Sequence, residues 1–301
     1  MNDQNQRLFS RPRLLCALAC VMAGGSVFAQ DSEISFKSTE VTPGIFMVEG
    51  VGGFGGGNMA VLVGEEYAAM IDDGLEPLAP QLLAHAIDTA GRNINFMINT
   101  HVHGDHVGGN AHFAESGTVI FAHDNIRKRI TQDPTVAGGA RGLPVVTFAD
   151  GVTFHLDGIE ARVVHVPAAH TDGDAMIYFP QANVIHSGDL VFHNLFPFID
   201  LDNGGTVDGY IAAQEAILEL ADDDTRIIPG HGPLTDKAGL AEDLAALIAG
   251  RAEVRSLVDQ GMTEEEVLAA NPLEAFSSRS WPFITSERMT QTFYRDLSGG
   301  D

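Results

Sequence analysis

Asn99-Thr100-His101-Val102-His103-Gly104-Asp105-His106-Val107-Gly108-Gly109-Asn110 places three histidines and an aspartate within six residues. The apolar run Ile94-Asn95-Phe96-Met97-Ile98 before it reads as a buried strand. If the extended backbone continues, period-two geometry sends His101 and His103 to one side, with Asp105 following in register. Gly104 and Gly108-Gly109 let the chain curl so that His106 swings toward a second centre. Imidazole suits zinc, and a carboxylate adds a hard oxygen and negative charge. Four donors this close exceed what one tetrahedral ion uses, so the spacing predicts two metal ions side by side. The competing reading is a chance run in a polar loop. The chain has 12 His in 301 residues, and the strand-then-loop context argues for the metal.

Outward from this stretch, three more donors occur in the same setting, where a strand ends beside glycine. They are His170 in Pro167-Ala168-Ala169-His170, Asp189 in Ser187-Gly188-Asp189, and His231 in Pro229-Gly230-His231-Gly232. Seven donors suit two zinc ions sharing one carboxylate and one hydroxide.

The flanking pattern alternates strands and helices. Short apolar runs at 45–48, 59–63 and 67–71 read as strands, and a helix through Leu78, Leu82, Leu83 and Ile87 closes at Gly91. A short helix is expected near 109–114 and strands at 118–121, 145–148, 152–155 and 161–166. A hairpin-like pair follows at 175–179 and 183–186. A helix is expected from Thr206, a strand at 226–228, a long helix from Asp236, and helical structure to the end with one loop around 271–282. Between the first strands, Gly50-Val51-Gly52-Gly53-Phe54-Gly55-Gly56-Gly57 contains a G-x-G-x-x-G match. It runs into a strand rather than opening a helix, which argues against a dinucleotide loop. A plain flexible turn and a flap over the metal site, with Phe54 near its tip, both remain open.

Arg7, Arg11 and Arg13 precede the apolar run 14–28, which ends Val27-Phe28-Ala29. This is the pattern of a secretory signal cut after Ala29, and it predicts a periplasmic or secreted protein with no stable membrane insertion. Both cysteines, Cys16 and Cys20, lie inside it, so the remaining chain has neither a disulfide nor a thiol nucleophile. The formal charge is −24, with 41 acidic against 17 basic side chains, and no basic stripe. Such a chain repels nucleic-acid backbones and points to a small-molecule substrate.

Thr-His-x-His-x-Asp-His at 100–106, the His170 loop, Ser-Gly-Asp at 187–189 and Pro-Gly-His-Gly at 229–232 together resemble the metallo-β-lactamase superfamily. The resemblance implies an α/β fold, an αββα sandwich of two mixed sheets flanked by helices. It covers a catalytic domain at 30–260, followed by a helical extension at 261–301 packed on it. It implies that His101, His103 and His170 hold a first zinc, and that Asp105, His106 and His231 hold a second. Asp189 would bridge the two, with Asp72 steadying the ligand loop. It further implies a dinuclear zinc hydrolase in which a bridging hydroxide attacks a lactam, lactone, ester or thioester carbonyl, with Asp105 handling the proton.

Cysteine-bearing β-lactamases of the family carry Cys where this chain has Asp189, and Lys three residues later where it has Phe192. Asp189 instead resembles the thioesterase and lactonase branches. A mononuclear-iron persulfide dioxygenase using residues of the His101, His170 and Asp189 type is the alternative activity, and a non-catalytic zinc-binding protein is a third. His193, just past Phe192, is either a hydrogen-bond donor to substrate or a prop for the loop 194–197. Trp281, Phe283, Phe293 and Tyr294 read as packing of the C-terminal helices, and the other histidines as structural.

Overall fold

Met59 to Leu62 are all buried, yet their side chains separate by parity. Ala60 and Leu62 join one apolar cluster, while Met59 and Val61 join another. A strand covered on both faces needs a layer on each side, and that requirement sets the architecture. The structure, a computed structural model, describes residues 34–299; the expected signal segment lies outside these residues.

One sheet has seven strands in sequential order: β1 (Ser35–Thr42), β2 (Ile45–Val51), β3 (Met59–Val63), β4 (Ala68–Ile71), β5 (Phe96–Ile98), β6 (Val119–His123) and β7 (Val146–Phe148). Its first four strands are antiparallel, and pairing from β4 onward is parallel. The second sheet contains β8 (Gly151–Leu156), β9 (Ile159–His165), β10 (Ala175–Phe179), β11 (Val184–Phe192), β12 (Arg226–His231) and β13 (Thr235–Asp236). Within it only β11 and β12 run parallel.

The inner faces of both sheets share one core. Ile45, Leu62 and Ile98 of the first meet Phe154, Val163, Ile177 and Ile228 of the second. The outer face of the first sheet is covered by α1 (Ala79–Ala90), through Leu82 and Ala86, and by α3 (Asn110–Glu115), through Phe113. Gly91 ends α1 in the left-handed conformation at φ 65°, as the sequence suggested. On the second sheet, α5 (Val207–Leu220) buries Ala213 and Ile217, while α6 (Lys237–Val258) contributes Leu240. Thr206 and Asp236 cap these helices by accepting from Gly209 N and Gly239 N. The layers are therefore helix, sheet, sheet, helix. After α6, helices α7 (Glu264–Ala270) and α8 (Ser286–Leu297) place Val267, Met289 and Phe293 in a separate cluster with Phe192, Phe196 and Tyr210.

Two local expectations are corrected. Strand β5 stops at Ile98, so the ligand stretch is a bend followed by a one-turn helix, α2 (Gly104–Val107). His103 precedes that turn in extended backbone, and Asp105 lies in its first turn. The strand ends because Thr100 turns its backbone N–H and hydroxyl to the Asp72 carboxylate instead of a neighbouring strand. Strand β11 runs on to Phe192 rather than ending near His186. It does so with register shifts between His186 and Gly188 and between Gly188 and Phe192, and these aim Asp189 out of the ladder. The sheets are tied at this end by Ala175 N donating to Thr100 O at 2.8 Å and Asn58 N donating to Gly230 O at 2.7 Å. No helix among the described residues is long and apolar enough to cross a membrane.

Candidate metal centre

Asp72 follows β4 with φ 57°, a left-handed conformation that costs a residue with a Cβ about 1–2 kcal/mol. What holds it there is a complete set of partners. Its Oδ1 accepts from Thr100 N at 2.8 Å and its Oδ2 from Thr100 Oγ1 at 2.6 Å, while the His106 ring contacts Oδ2 through Nδ1 at 2.8 Å. The ligand stretch is thus fixed to the end of a neighbouring strand. Gly57 completes the packing: a Cβ there would lie 2.2 Å from His106 Cε1.

His101, His103, His106 and His170 share one arrangement. Each of these is anchored through one ring nitrogen and turns the other inward. His103 uses Nε2 on Asp200 Oδ2 at 2.8 Å, His170 donates Nδ1–H to Phe198 O at 2.6 Å, and His101 uses Nδ1 on Thr100 Oγ1 at 3.0 Å. These outer partners leave the inward nitrogens as bare lone pairs. His170 Nε2 then faces His103 Nδ1 at 2.9 Å, and His106 Nε2 faces His231 Nε2 at 3.5 Å. Lone pairs so placed repel unless a cation sits among them. Among the described residues, His101 Nε2 and Asp189 Oδ1 are buried without a hydrogen bond of normal geometry. Buried polar atoms are normally paired, so orphans converging on one point fit a metal.

Two groups of donors result. His101, His103, His170 and Asp189 converge, as do Asp105, His106 and His231. Asp72 also lies near His101 and His106, but its oxygens are already engaged with Thr100 and His106. Asp189 stands between the two groups. Its Oδ2 is 3.6 Å from His101 Nε2, 3.4 Å from His170 Nε2 and 3.5 Å from His231 Nε2, and its Oδ1 is 3.1 Å from His106 Nε2. A Cβ on Gly230 would lie 2.0 Å from Asp189 Oδ1, so glycine there makes room for the carboxylate. Asp105 lies 3.4 Å from His231 Nε2 and 3.7 Å from His106 Nε2, with its side chain 22% exposed against 4% for Asp189.

Electrostatics divide the site. Burial holds His101 and His170 neutral, His170 down to about 3, which keeps their nitrogens available as ligands. Burial alone would also lower His231, but the carboxylates of Asp189 and Asp105 beside it draw it up to about 9. The second group is thus rich in negative charge, as a cation site requires. Behind the first, burial lifts Asp174 to about 8, although it accepts from His170 N, Thr171 N and Thr171 Oγ1.

The structure sets His193 apart from the donors. Its Nδ1 contacts Asp243 Oδ2 at 2.7 Å, and Arg279 donates to the other oxygen of the same carboxylate at 2.5 Å. Its ring is outside the donor groups and lines neither cavity at the site. These contacts brace the loop before Phe196, whose N–H donates to Arg279 O. Phe192 instead reaches the centre, stacked on His231 with ring centroids 4.8 Å apart.

Two features escaped the sequence reading. Asp200 orients His103 from 97 residues away, and no local pattern marks it. The C-terminal aromatics split in role. Phe293 packs in the core and Trp281 lies 5.6 Å from the His231 ring, but Phe283 is 47% exposed and lines the site. The glycine-rich segment takes the flap position, with Phe54 stacked on His231 at 6.0 Å. A small cavity of about 190 Å³ lies directly over the donors, walled by Phe192, Phe198 and Phe283. A larger one of about 740 Å³ adjoins it.

Residues 52–231 match the family model described as the metallo-beta-lactamase superfamily. A hydroxyacylglutathione hydrolase of Methylococcus capsulatus is 31% identical over 119 residues, 39% of this chain and 42% of that protein, so the match spans less than half of that relative's length. A hydroxyacylglutathione hydrolase of Nitrosococcus oceani is 30% identical over 234 residues, 73% of this chain and 76% of that protein. Among solved structures, a metallo-beta-lactamase from Pontibacter korlensis superposes with a TM-score of 0.61 at 20% identity, covering 71% of this chain and 99% of that one.

Proposed function

The chain belongs to the metallo-β-lactamase superfamily, and from that membership we propose that it is a dinuclear zinc hydrolase acting on the acyl carbonyl of a small lactone, ester, thioester or lactam. The observation that carries the reading is Asp189, a buried carboxylate within 3.1–3.6 Å of four histidine nitrogens drawn from both donor groups. The relatives named as hydroxyacylglutathione hydrolases support hydrolysis.

His101, His103 and His170 would hold one ion, Asp105, His106 and His231 the other, and Asp189 both. Zinc so held supplies a Lewis acid for the carbonyl oxygen and lowers the pKa of water to about 7. In the net reaction a water oxygen joins the carbonyl carbon, the bond to the leaving sulfur, oxygen or nitrogen breaks, and the water's proton ends on that leaving atom. Asp105 is the group placed to carry this proton, because its carboxylate belongs to a donor group and also lines both cavities. Phe192, Phe198 and Phe283 give the small cavity apolar walls, and displacement of water from it by a bound substrate would strengthen the electrostatic contacts within it.

Metal analysis of the purified protein, followed by a panel of β-lactam, lactone, thioester and phosphodiester substrates, tests the proposal. Close to two zinc ions per chain and turnover of an acyl substrate are expected. One iron per chain with oxygen uptake on persulfides would overturn it. We also propose that the segment before residue 30 directs export. Recovery of the protein in a periplasmic or extracellular fraction, beginning at residue 30, is the expected result.

A further inference from the structure

The 740 Å³ cavity shares Asp105 and Phe283 with the small cavity over the metal donors, so the two form one continuous site. Its walls come from Phe54 on the glycine flap, Leu75 and Pro77 after β4, Val136 beyond the ligand turn, and Pro282 and Phe283 near the C-terminus. Phe54 and Phe283 are 51% and 47% exposed, and large apolar side chains left open at a cavity mouth mark a groove for apolar ligand surface. The ionisable groups lining it are Glu76 and Asp105, both carboxylates, with no Lys, Arg or His among the lining residues. Arg288, which contacts the Phe283 wall, does not line this cavity. Its guanidinium stacks on Phe283 at 4.3 Å and on Phe198 at 5.2 Å, donates to Phe283 O, and lines a separate cavity with Asp200, Asp202 and Arg295. The chain as a whole carries −24.

We infer that the substrate is a neutral acyl compound whose apolar arm lies in the larger cavity, rather than an anionic conjugate such as a glutathione thioester or a carboxylate-bearing β-lactam. This rests on the hydrolase reading above and separates the chain from the glutathione substrates for which its relatives are named. An anionic arm would meet two carboxylates and apolar walls with nothing to pair it. A hydrocarbon arm is instead desolvated against Phe54, Val136 and Phe283, and each buried methylene adds about fourfold in affinity.

The test uses the zinc-loaded full chain with butyryl, hexanoyl and octanoyl thioesters of N-acetylcysteamine, which are neutral, beside the same acyl groups on glutathione. Expected are a kcat/KM that rises about three- to fourfold per methylene and a neutral-over-anionic preference of at least about tenfold. The Glu76→Lys variant narrows that preference, and Phe283→Ala flattens the chain-length dependence. Both positions are solvent-exposed, so the fold survives the changes. Binding is read independently with octan-2-one, which has no acyl bond to cleave. It should shift the emission of Trp281, the chain's single tryptophan, whose ring lies 5.6 Å from Phe283, and the shift should weaken in Phe283→Ala. Turnover that favours the glutathione thioesters, or that ignores chain length, overturns the inference while leaving the hydrolase reading intact. Saturable octan-2-one binding without turnover of any acyl substrate leaves the apolar groove standing and sinks the hydrolase.

Discussion

Asp105 and Asp200 take different roles at this centre. Asp105 faces the donors and the cavity, so Asp105→Asn keeps the shape and removes charge and basicity. Turnover should fall at least about 10²-fold while the His101–His103–His170 group still binds metal; unchanged turnover with full metal content would remove Asp105 from proton transfer. Asp200 acts through another residue, receiving His103 Nε2 at 2.8 Å while Asn203 donates to the same oxygen at 2.6 Å. Without that anchor the His103 ring loses both its tautomer and its direction. Asp200→Ala should therefore weaken metal affinity about 10- to 100-fold in chelator competition, and the residual activity should return when zinc is supplied in excess. A loss of kcat at saturating zinc with unchanged affinity would place Asp200 in the chemistry instead.

At the scale of elements, the flap and the ligand turn are built as one unit. Gly57 N donates to Asp105 O at 3.0 Å, Gly56 sits at φ 111°, and a Cβ on Gly57 would be 2.2 Å from the His106 ring. Gly57→Ala must push His106 away from its donors. The expected outcome is a chain that folds, shown by an unchanged far-UV spectrum, yet holds about one metal ion where the wild type holds two. Two ions in that variant would show that the flap yields more readily than the histidine. The C-terminal helices act on the site in a similar indirect way. They hold Trp281 in the cluster that includes Phe192 and Phe293, and Arg288 of α8 stacks on Phe283 at 4.3 Å, so changes to α8 are expected to reach substrate preference before they reach metal content.

Across the whole molecule, two charge effects compete. The donor carboxylates and the acidic surface repel themselves, and a bound cation relieves the first while dissolved salt screens the second. Chelation should lower the midpoint of thermal unfolding, since an ion bound only by the native state at a thousand times its Kd contributes about 4 kcal/mol. Raising sodium chloride from about 50 mM to about 1 M should raise the midpoint of the metal-loaded protein, because the Debye length shrinks from more than 10 Å to about 3 Å. A midpoint that falls with salt would mean that surface ion pairs such as Lys37–Glu49 outweigh the net repulsion.

The donor set was legible in the sequence because metal ligands must be particular residue types at strand ends, and glycines beside them mark tight backbone. His101, His103, Asp105, His106, His170, Asp189 and His231 could be named from that pattern, and the apolar runs and helical stripes placed individual strands and helices, while the αββα sandwich was implied by the family resemblance those motifs carry. What the side chains beyond the donors do was decided by tertiary contact alone. Asp200 finds His103 across 97 residues, Asp243 takes the His193 ring 50 residues on, and Phe283 returns from near the C-terminus to wall a cavity opened by Phe54. Ligand chemistry is local, so it leaves a pattern along the chain. The shape and charge of a pocket are sums over distant segments, and they exist only once packing has brought those segments together.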